Sequence, residues 1–283
     1  MDGHSVEPGR HYDRVTEAWR LIFGDQLHYG VFERADDDLA TATDRLTDLM
    51  IEAARLTATS GPVDLLDIGS GTGVVACRIA EQYGARVLGI TTSSVGVETG
   101  RLNAAAQGLA ERVRFEQRDG TRTDLPDATF DVAWALESSH LMRQRERLLS
   151  ECARVLRPGG RVALCDIMLR RELAFAEVKA LRKELALLRD VFGDAHMERM
   201  QRYVEWLQPL GVDVDVATDL TAQTRPTFAA WRANIDTHET AITELIGAPS
   251  MSQFRDSTYV LESLWDDGVM GYGLVGGTRA AQP

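Results

Sequence analysis

The chain has 283 residues, 43 acidic against 31 basic side chains, a formal charge of −12 and 44% hydrophobic residues. That apolar content builds a core and excludes a wholly disordered chain. The acidic balance argues against nucleic acid, because phosphate binding wants a basic face.

No run of 18 apolar residues is present, so no membrane-spanning helix and no membrane partner are expected. The opening MDGHSVEPGR lacks the positive, apolar and small-residue layout of an export signal. Cys77, Cys152 and Cys165 are too far apart for a disulfide framework or a metal knuckle, so the expectation is a cytoplasmic protein with reduced thiols. Only Lys179 and Lys183 among the basic residues are lysines.

Apolar positions Leu46, Leu49, Met50, Ala53 and Leu56 recur at helical spacing between Leu39 and Ala58, which predicts an amphipathic helix. Short apolar runs then alternate with helical ones. Strands are predicted at Val63–Ile68, Arg86–Ile90, Val113–Gln117, Phe130–Leu136 and Arg161–Met168. Helices are expected up to Tyr83, near Val95–Gln107 and over Gln144–Leu156, the last ended by Arg157–Pro158–Gly159–Gly160. Five alternations of strand and helix read as an α/β, doubly wound and mostly parallel sheet with right-handed crossovers.

The last third breaks this rhythm. Glu172–Val191 carries leucines at helical spacing, expected to pack onto the sheet. Met197–Leu210, Pro226–Ile246 and Met251–Asp266 read as further helices. Val212–Val216 alternates as a strand, and Gly271–Gly276 suits a closing strand. Residues 1–60 are therefore expected to form an N-terminal helical segment, 61–169 a cofactor-binding core, and 170–283 a helical lid with the last strands of the core sheet.

The turn Gly69–Ser70–Gly71–Thr72–Gly73 follows the first strand directly. Glycines there let the backbone approach a ligand, and the helix start offers free N–H groups. A dinucleotide fingerprint needs a third glycine where Val74 stands, which weakens the phosphate-cradle reading. The strand instead ends in the carboxylate Asp67. A carboxylate beside bare amides suits the zwitterionic end of an amino acid.

Asp67–Gly73, RVLGITTS, RDGT, DLPDATFDVAWALESSHLM and ECARVLRPGGRVALCD together resemble the class I S-adenosylmethionine-dependent methyltransferases over about Val63–Met168. The look is that of small-molecule enzymes of natural-product tailoring and of the sarcosine/dimethylglycine and tocopherol type. These also share an element seen here as Leu27–His28–Tyr29–Gly30–Val31–Phe32 and a lid after the fifth strand. The resemblance implies a seven-stranded sheet, with S-adenosylmethionine as cofactor and S-adenosylhomocysteine as product. It implies that Gly69, Ser70 and Gly71 line the methionine moiety, that Asp119 and Gly120 hold the adenine, and that Leu136 and Glu137 lie beneath the cofactor near the acceptor. His28 is implied at the cofactor's carboxylate end or in pocket closure. Thr91, Thr92 and Ser93 stand where many relatives place an acidic ribose ligand, so hydroxyls are expected to replace it.

A sulfonium donor is already activated, so a protein acting on a hydroxyl need only align the acceptor and remove its proton. No metal is needed for this, and no H-x-x-E-H or C-x-x-C cluster is present. His140, just beyond the fourth strand, is the candidate base, and Asp166, at the end of the neighbouring fifth strand, is placed to orient it. The related two-histidine pattern is broken here by Leu141. His4, His11, His196 and His238 lack a supporting motif, while Tyr12 could fold over the cofactor. Phe23, Trp206, Phe228, Trp231, Phe254 and Trp265 are expected over the pocket as lid core, with one or two facing an apolar acceptor. Cys165 reads as a small buried apolar residue. The expected activity is methylation of a hydroxyl on a small, partly apolar metabolite. N- or C-methylation, and a methyltransferase-like protein catalysing a reaction such as cyclisation, are the alternatives. A homodimer is compatible with the sequence but not specified by it.

Overall fold

A computed structural model describes residues 17–57 and 62–281. The candidates His4, His11 and Tyr12 lie outside the described residues. Seven strands form one sheet: β1 Asp64–Ile68, β2 Arg86–Thr91, β3 Val113–Gln117, β4 Phe130–Leu136, β5 Leu156–Leu169, β6 Val212–Asp219 and β7 Met270–Arg279. Their order is β3-β2-β1-β4-β5-β7-β6. The strands pair in parallel from β3 across to β5, and β7 runs antiparallel to both β5 and β6. The chain winds outward in one direction through β2 and β3 and in the other through β4 and β5. A crevice therefore opens between the carboxyl ends of β1 and β4, where open α/β sheets bind ligands.

The central strands are buried on both faces and read as continuous apolar runs, as parallel strands between helices must. Leu65, Trp134, Ala163 and Cys165 pack into one core cluster, and Leu66, Ala133, Ala135 and Leu164 into the other. Helix Val74–Tyr83 starts at Gly73, whose φ of 77° is left-handed. Helix Ser94–Ala106 is capped by Ser93, whose hydroxyl accepts the Gly96 N–H at 2.9 Å. Helix Leu39–Ala53 is capped by Asp38, which accepts from the Thr41 N–H.

Three sequence expectations are corrected. The fifth strand begins at Leu156 rather than Arg161, because Phe130 pairs with Leu156 and Val132 with Arg161; Arg157–Gly160 is an excursion within the ladder, with Gly159 at φ 81°. The leucine stripe after β5 is two helices, Phe175–Ala180 and Arg182–Phe192. The second packs on helix Ala248–Asp266 rather than on the sheet. The segment Pro226–Ile246 is likewise split, into Thr227–Thr237 and Glu239–Ile246. The lid therefore comes from two insertions, one after β5 and one between β6 and β7, and the second contributes the long helix that carries the first.

Phe115 of β3 occupies a notch built from glycines. A Cβ at Gly73 would stand 2.4 Å from its ring, one at Gly89 2.6 Å and one at Gly100 2.9 Å. Gly100 is helical, so alanine there gains about 1 kcal/mol of helix propensity but overpacks the notch at a cost of about 1–3 kcal/mol. Urea unfolding should therefore show Gly100→Ala destabilised in the native background. The same substitution should be neutral or stabilising beside Phe115→Leu.

Candidate active site

Three chambers meet at the carboxyl edge of the sheet. The first, of about 370 Å³, lies between the ends of β1, β2 and β3 and is lined by Gly69, Gly71, Thr91, Thr92, Ser93, Asp119 and Gly120, with Met142 and Gln144 on the far wall. The second, of about 90 Å³, continues past the glycine turn to His28, Asp67, Ser70 and Leu136. The third, of about 740 Å³, lies beneath the lid and is walled by Trp19, Phe23, Leu185, Leu188, Phe192 and Trp231, with His140 and Glu137 at its inner end. Glu137 borders all three, and Leu141 lies between the first and third.

The glycine turn is tightly determined. Gly69 has φ 84°, and a Cβ on it would fall 2.2 Å from that of Ser138. The Ser138 hydroxyl donates to the Ile68 carbonyl at 2.7 Å, tying the end of β4 to the end of β1. Asp67 is 3% exposed and has no hydrogen-bond partner among the described residues; burial alone pushes its carboxyl up to about 7. The Ser70 hydroxyl is buried and also unpartnered. The Gly69 and Ser70 N–H groups donate to the Ile90 carbonyl and that of Gly73 to the Ser70 carbonyl, which leaves those of Gly71 and Thr72 without an acceptor among the described residues. A buried acid without a cation, opening on a chamber beside these two amides, fits the ammonium and carboxylate of an amino-acid moiety. Asp119 accepts the Thr121 N–H and hydroxyl with Oδ1, both at 2.8 Å, which leaves Oδ2 open to a donor such as an exocyclic amine.

The serine and threonines after β2 serve unequally. Ser93 is spent on its cap, and Thr91 Oγ1 accepts the Ser93 N–H at 3.2 Å. Thr92 is exposed, its hydroxyl free to meet a ribose. His28 is only 4% exposed, and burial lowers its pKa to about 4, so it is neutral. Its Nδ1 lies 2.8 Å from the Tyr29 carbonyl and its Nε2 3.2 Å from Gln26 Oε1. The ring is a wall of the second chamber, held from behind.

Glu137 adopts a left-handed backbone, φ 47°, a conformation that costs a non-glycine residue energy and persists only where the surroundings enforce it. Two donors do so: the Tyr29 N–H at 2.7 Å and the Tyr272 hydroxyl both reach its Oε1. Burial pushes the Glu137 carboxyl up to about 8 against the pull of those donors.

His140 and Asp166 are brought together. His140 Nδ1 lies 2.6 Å from Asp166 Oδ1, and its backbone N–H donates to Oδ2 at 2.9 Å. Asp166 is fully buried and also accepts the Ser139 hydroxyl at 2.5 Å and the Ile167 N–H at 2.8 Å. Ser139 in turn contacts the Tyr203 hydroxyl at 3.0 Å. Burial opposes charge on both partners, but their mutual attraction outweighs it, holding Asp166 below the usual carboxylate range and raising His140 above a free imidazole. Nδ1 is thereby committed, and Nε2 is left for the chamber.

Of the aromatic residues expected over the pocket, Phe23 and Trp231 line the third chamber. Phe228, Phe254 and Trp265 form the core behind them, stacked around Tyr29 and Phe23. Trp206 is a correction: it packs on Tyr203 and beneath Arg202, on the opposite side of the sheet. His196 lies in a loop rather than a helix; its N–H donates to the His140 carbonyl at 2.7 Å. His238 joins two lid helices. All three cysteines are free and buried. Among the described residues no helix is long and apolar enough to cross a membrane, and no cluster of three His, Cys, Asp or Glu is spaced to hold a metal. Composition and motif did not reveal Ser138, Tyr272 or the lid residues Arg182, Lys183 and Arg189, which also line the third chamber.

Residues 66–164 match the family described as a methyltransferase domain. The methyltransferase GfsG of Streptomyces halstedii is 36% identical over 235 residues, covering 81% of each chain. The 27-O-demethylrifamycin SV methyltransferase of Amycolatopsis mediterranei is 37% identical over 223 residues, covering 78% of this chain and 79% of its own. The crystal structure of the [4+2]-cyclase SpnF superimposes with a TM-score of 0.81 at 28% identity, over 97% of this chain and 96% of that one.

The unpaired Asp67 carries a test. A folded-state pKa raised from 3.8 to about 7 means that the folded protein holds a proton the unfolded chain has lost, so stability falls as pH rises between these values. Asp67→Asn should therefore stabilise the ligand-free protein at pH 8, by about 1–3 kcal/mol in urea unfolding, and change little at pH 4. The same variant should bind S-adenosylmethionine at least about tenfold more weakly in calorimetry, since a charge-assisted bond is lost.

Proposed function

The chain belongs to the S-adenosylmethionine-dependent methyltransferases of the small-molecule, natural-product type, and on that premise we propose that it methylates a hydroxyl group with His140 as general base. The observation carrying this reading is the His140–Asp166 pair at the inner end of the apolar chamber, with Nδ1 bound to the acid and Nε2 turned away from it. Such a base would serve little purpose for an acceptor amine that attacks once neutral.

Bound S-adenosylmethionine supplies a methyl group on a positively charged sulfur, already prone to displacement. Asp67 and the turn Gly69–Gly71 would hold its amino-acid end, Thr92 its ribose, and Asp119 with Gly120 its adenine. Glu137 and Leu141 stand where the chambers communicate, so the methyl group would be presented past them to the third. The apolar wall of that chamber excludes water and holds the acceptor in line. With the methyl–sulfur bond broken in exchange for the new oxygen–carbon bond and S-adenosylhomocysteine leaving as the neutral thioether, the acceptor proton would pass to His140 Nε2. The imidazolium is balanced by Asp166, whose four donors keep it ionised. A small-molecule acceptor is implied; nucleic acid and membrane are not.

A second reading rests on the likeness to the cyclase SpnF: the lid chamber would shape a cyclisation while the cofactor stays intact. Formation of S-adenosylhomocysteine with each turnover separates the two.

His140→Gln should lower kcat by about 10²- to 10⁴-fold while S-adenosylmethionine affinity stays within about twofold. Undiminished turnover would remove the base assignment. Only the neutral imidazole accepts a proton, so the rate should rise with pH through a pKa above 6.5. Asp166→Asn withdraws the attraction that raises this value, so the inflection should move to lower pH as kcat falls.

A further inference from the structure

The lid chamber has a polar complement that proton abstraction does not use. Its wall is apolar along Leu185 and Leu188, yet Arg182, Lys183 and Arg189 also border it, all from one lid helix. Arg182 and Lys183 have no ion-pair partner among the described residues. Among the described residues the Arg189 side chain pairs with its neighbour Asp190, at 3.3 Å with both side chains more than half exposed. The acidic groups on the same wall are Asp194, engaged by Arg143 and 3.4 Å from His196 Nε2, and Glu137 at the inner end, which burial favours in its neutral form. The Trp231 indole N–H and the Tyr29 hydroxyl, on two further lining residues, are buried without a partner. The uncommitted polar groups of this chamber are therefore donors and cations, in a chain whose formal charge is −12.

We propose that the acceptor is an amphipathic molecule bearing an anionic group, a carboxylate or a phosphate monoester, held by Arg182, Lys183 and Arg189 while its apolar body fills the lid chamber. This deepens the reading of that chamber as the acceptor site and rests on it. The cations lie on the lid helix, whereas His140 and Glu137 lie at the sheet edge, so the anion and the hydroxyl of one acceptor would meet different walls of the chamber. Arginine suits either anion through paired N–H donors, and lysine adds a point charge.

The test needs no methyl transfer, so its failure is distinguishable from failure of the His140 assignment. Decanoate, decyl phosphate and decanol are titrated into the full chain with S-adenosylhomocysteine present, at pH 8 and low salt, and followed by calorimetry. The expected result is that at least one anion binds about tenfold or more tightly than decanol, a preference that shrinks at high salt as ion contacts do. The tighter of the two anions identifies the group. In the triple variant Arg182→Gln, Lys183→Gln, Arg189→Gln the preference should fall below about twofold while decanol binding is retained, which also shows the chamber intact. Equal binding of decanol and both anions by the native protein would overturn the proposal, and so would a preference surviving the triple substitution.

Discussion

A carboxylate with no access to water must find all its partners inside the protein, and Asp166 finds four. The N–H groups of His140 and Ile167, the Ser139 hydroxyl and the His140 imidazole converge on its two oxygens. The cost of burying the charge is offset only if every donor is in place, so the loop after β4 is held in one conformation. That conformation sets the imidazole tautomer and presents the His140 carbonyl to the His196 N–H. It also extends through Ser138 to the end of β1, where the glycine turn begins. The His140 loop and the glycine turn therefore share one anchor rather than being positioned independently.

The cofactor side follows the opposite logic. Asp67 is buried with no cation, Ser70 keeps an unpaired hydroxyl, and Glu137 is held in a left-handed backbone by two donors. The first two are unmet polar groups, each costly to bury without a partner, and the third is a backbone conformation that costs energy. Natural folds tolerate such defects at binding sites because the surrounding sheet is stable enough to carry them.

Much of this was legible in the sequence because local chemistry and chain order agree. The turn after β1 needs glycine at Gly69, where a side chain would meet Ser138, and β4 and β5 are neighbours both in sequence and in the sheet, so His140 and Asp166 could be paired from their strand ends alone. The failures have tertiary causes. The Glu172–Val191 leucine pattern has the period of a helix packed on a sheet, and that period does not reveal that a second insertion supplies another helix as its partner. Trp206 sits in a helix whose buried face carries Tyr203 and Leu207, and no local signal tells on which side of the sheet that helix lies. The hydroxyls of Thr91 and Ser93 were free on paper, but the cap of the next helix had first claim on them. Tyr272 meets Glu137 across 135 residues, a contact that spacing cannot suggest.

The bond from the His196 N–H to the His140 carbonyl gives two parts of the lid different mechanical coupling to the loop after β4. The loop carrying His196 is stitched to the turn that carries His140 through main-chain atoms, so a change in its length there is felt at the imidazole whatever side chains are present. No backbone bond from helix Arg182–Phe192 to the turn that carries His140 is seen among the described residues, so side chains on that helix can change without moving the turn's main chain. Main-chain coupling thus reaches the His140 turn from one stretch of the insertion and leaves the neighbouring helix to act through side chains alone.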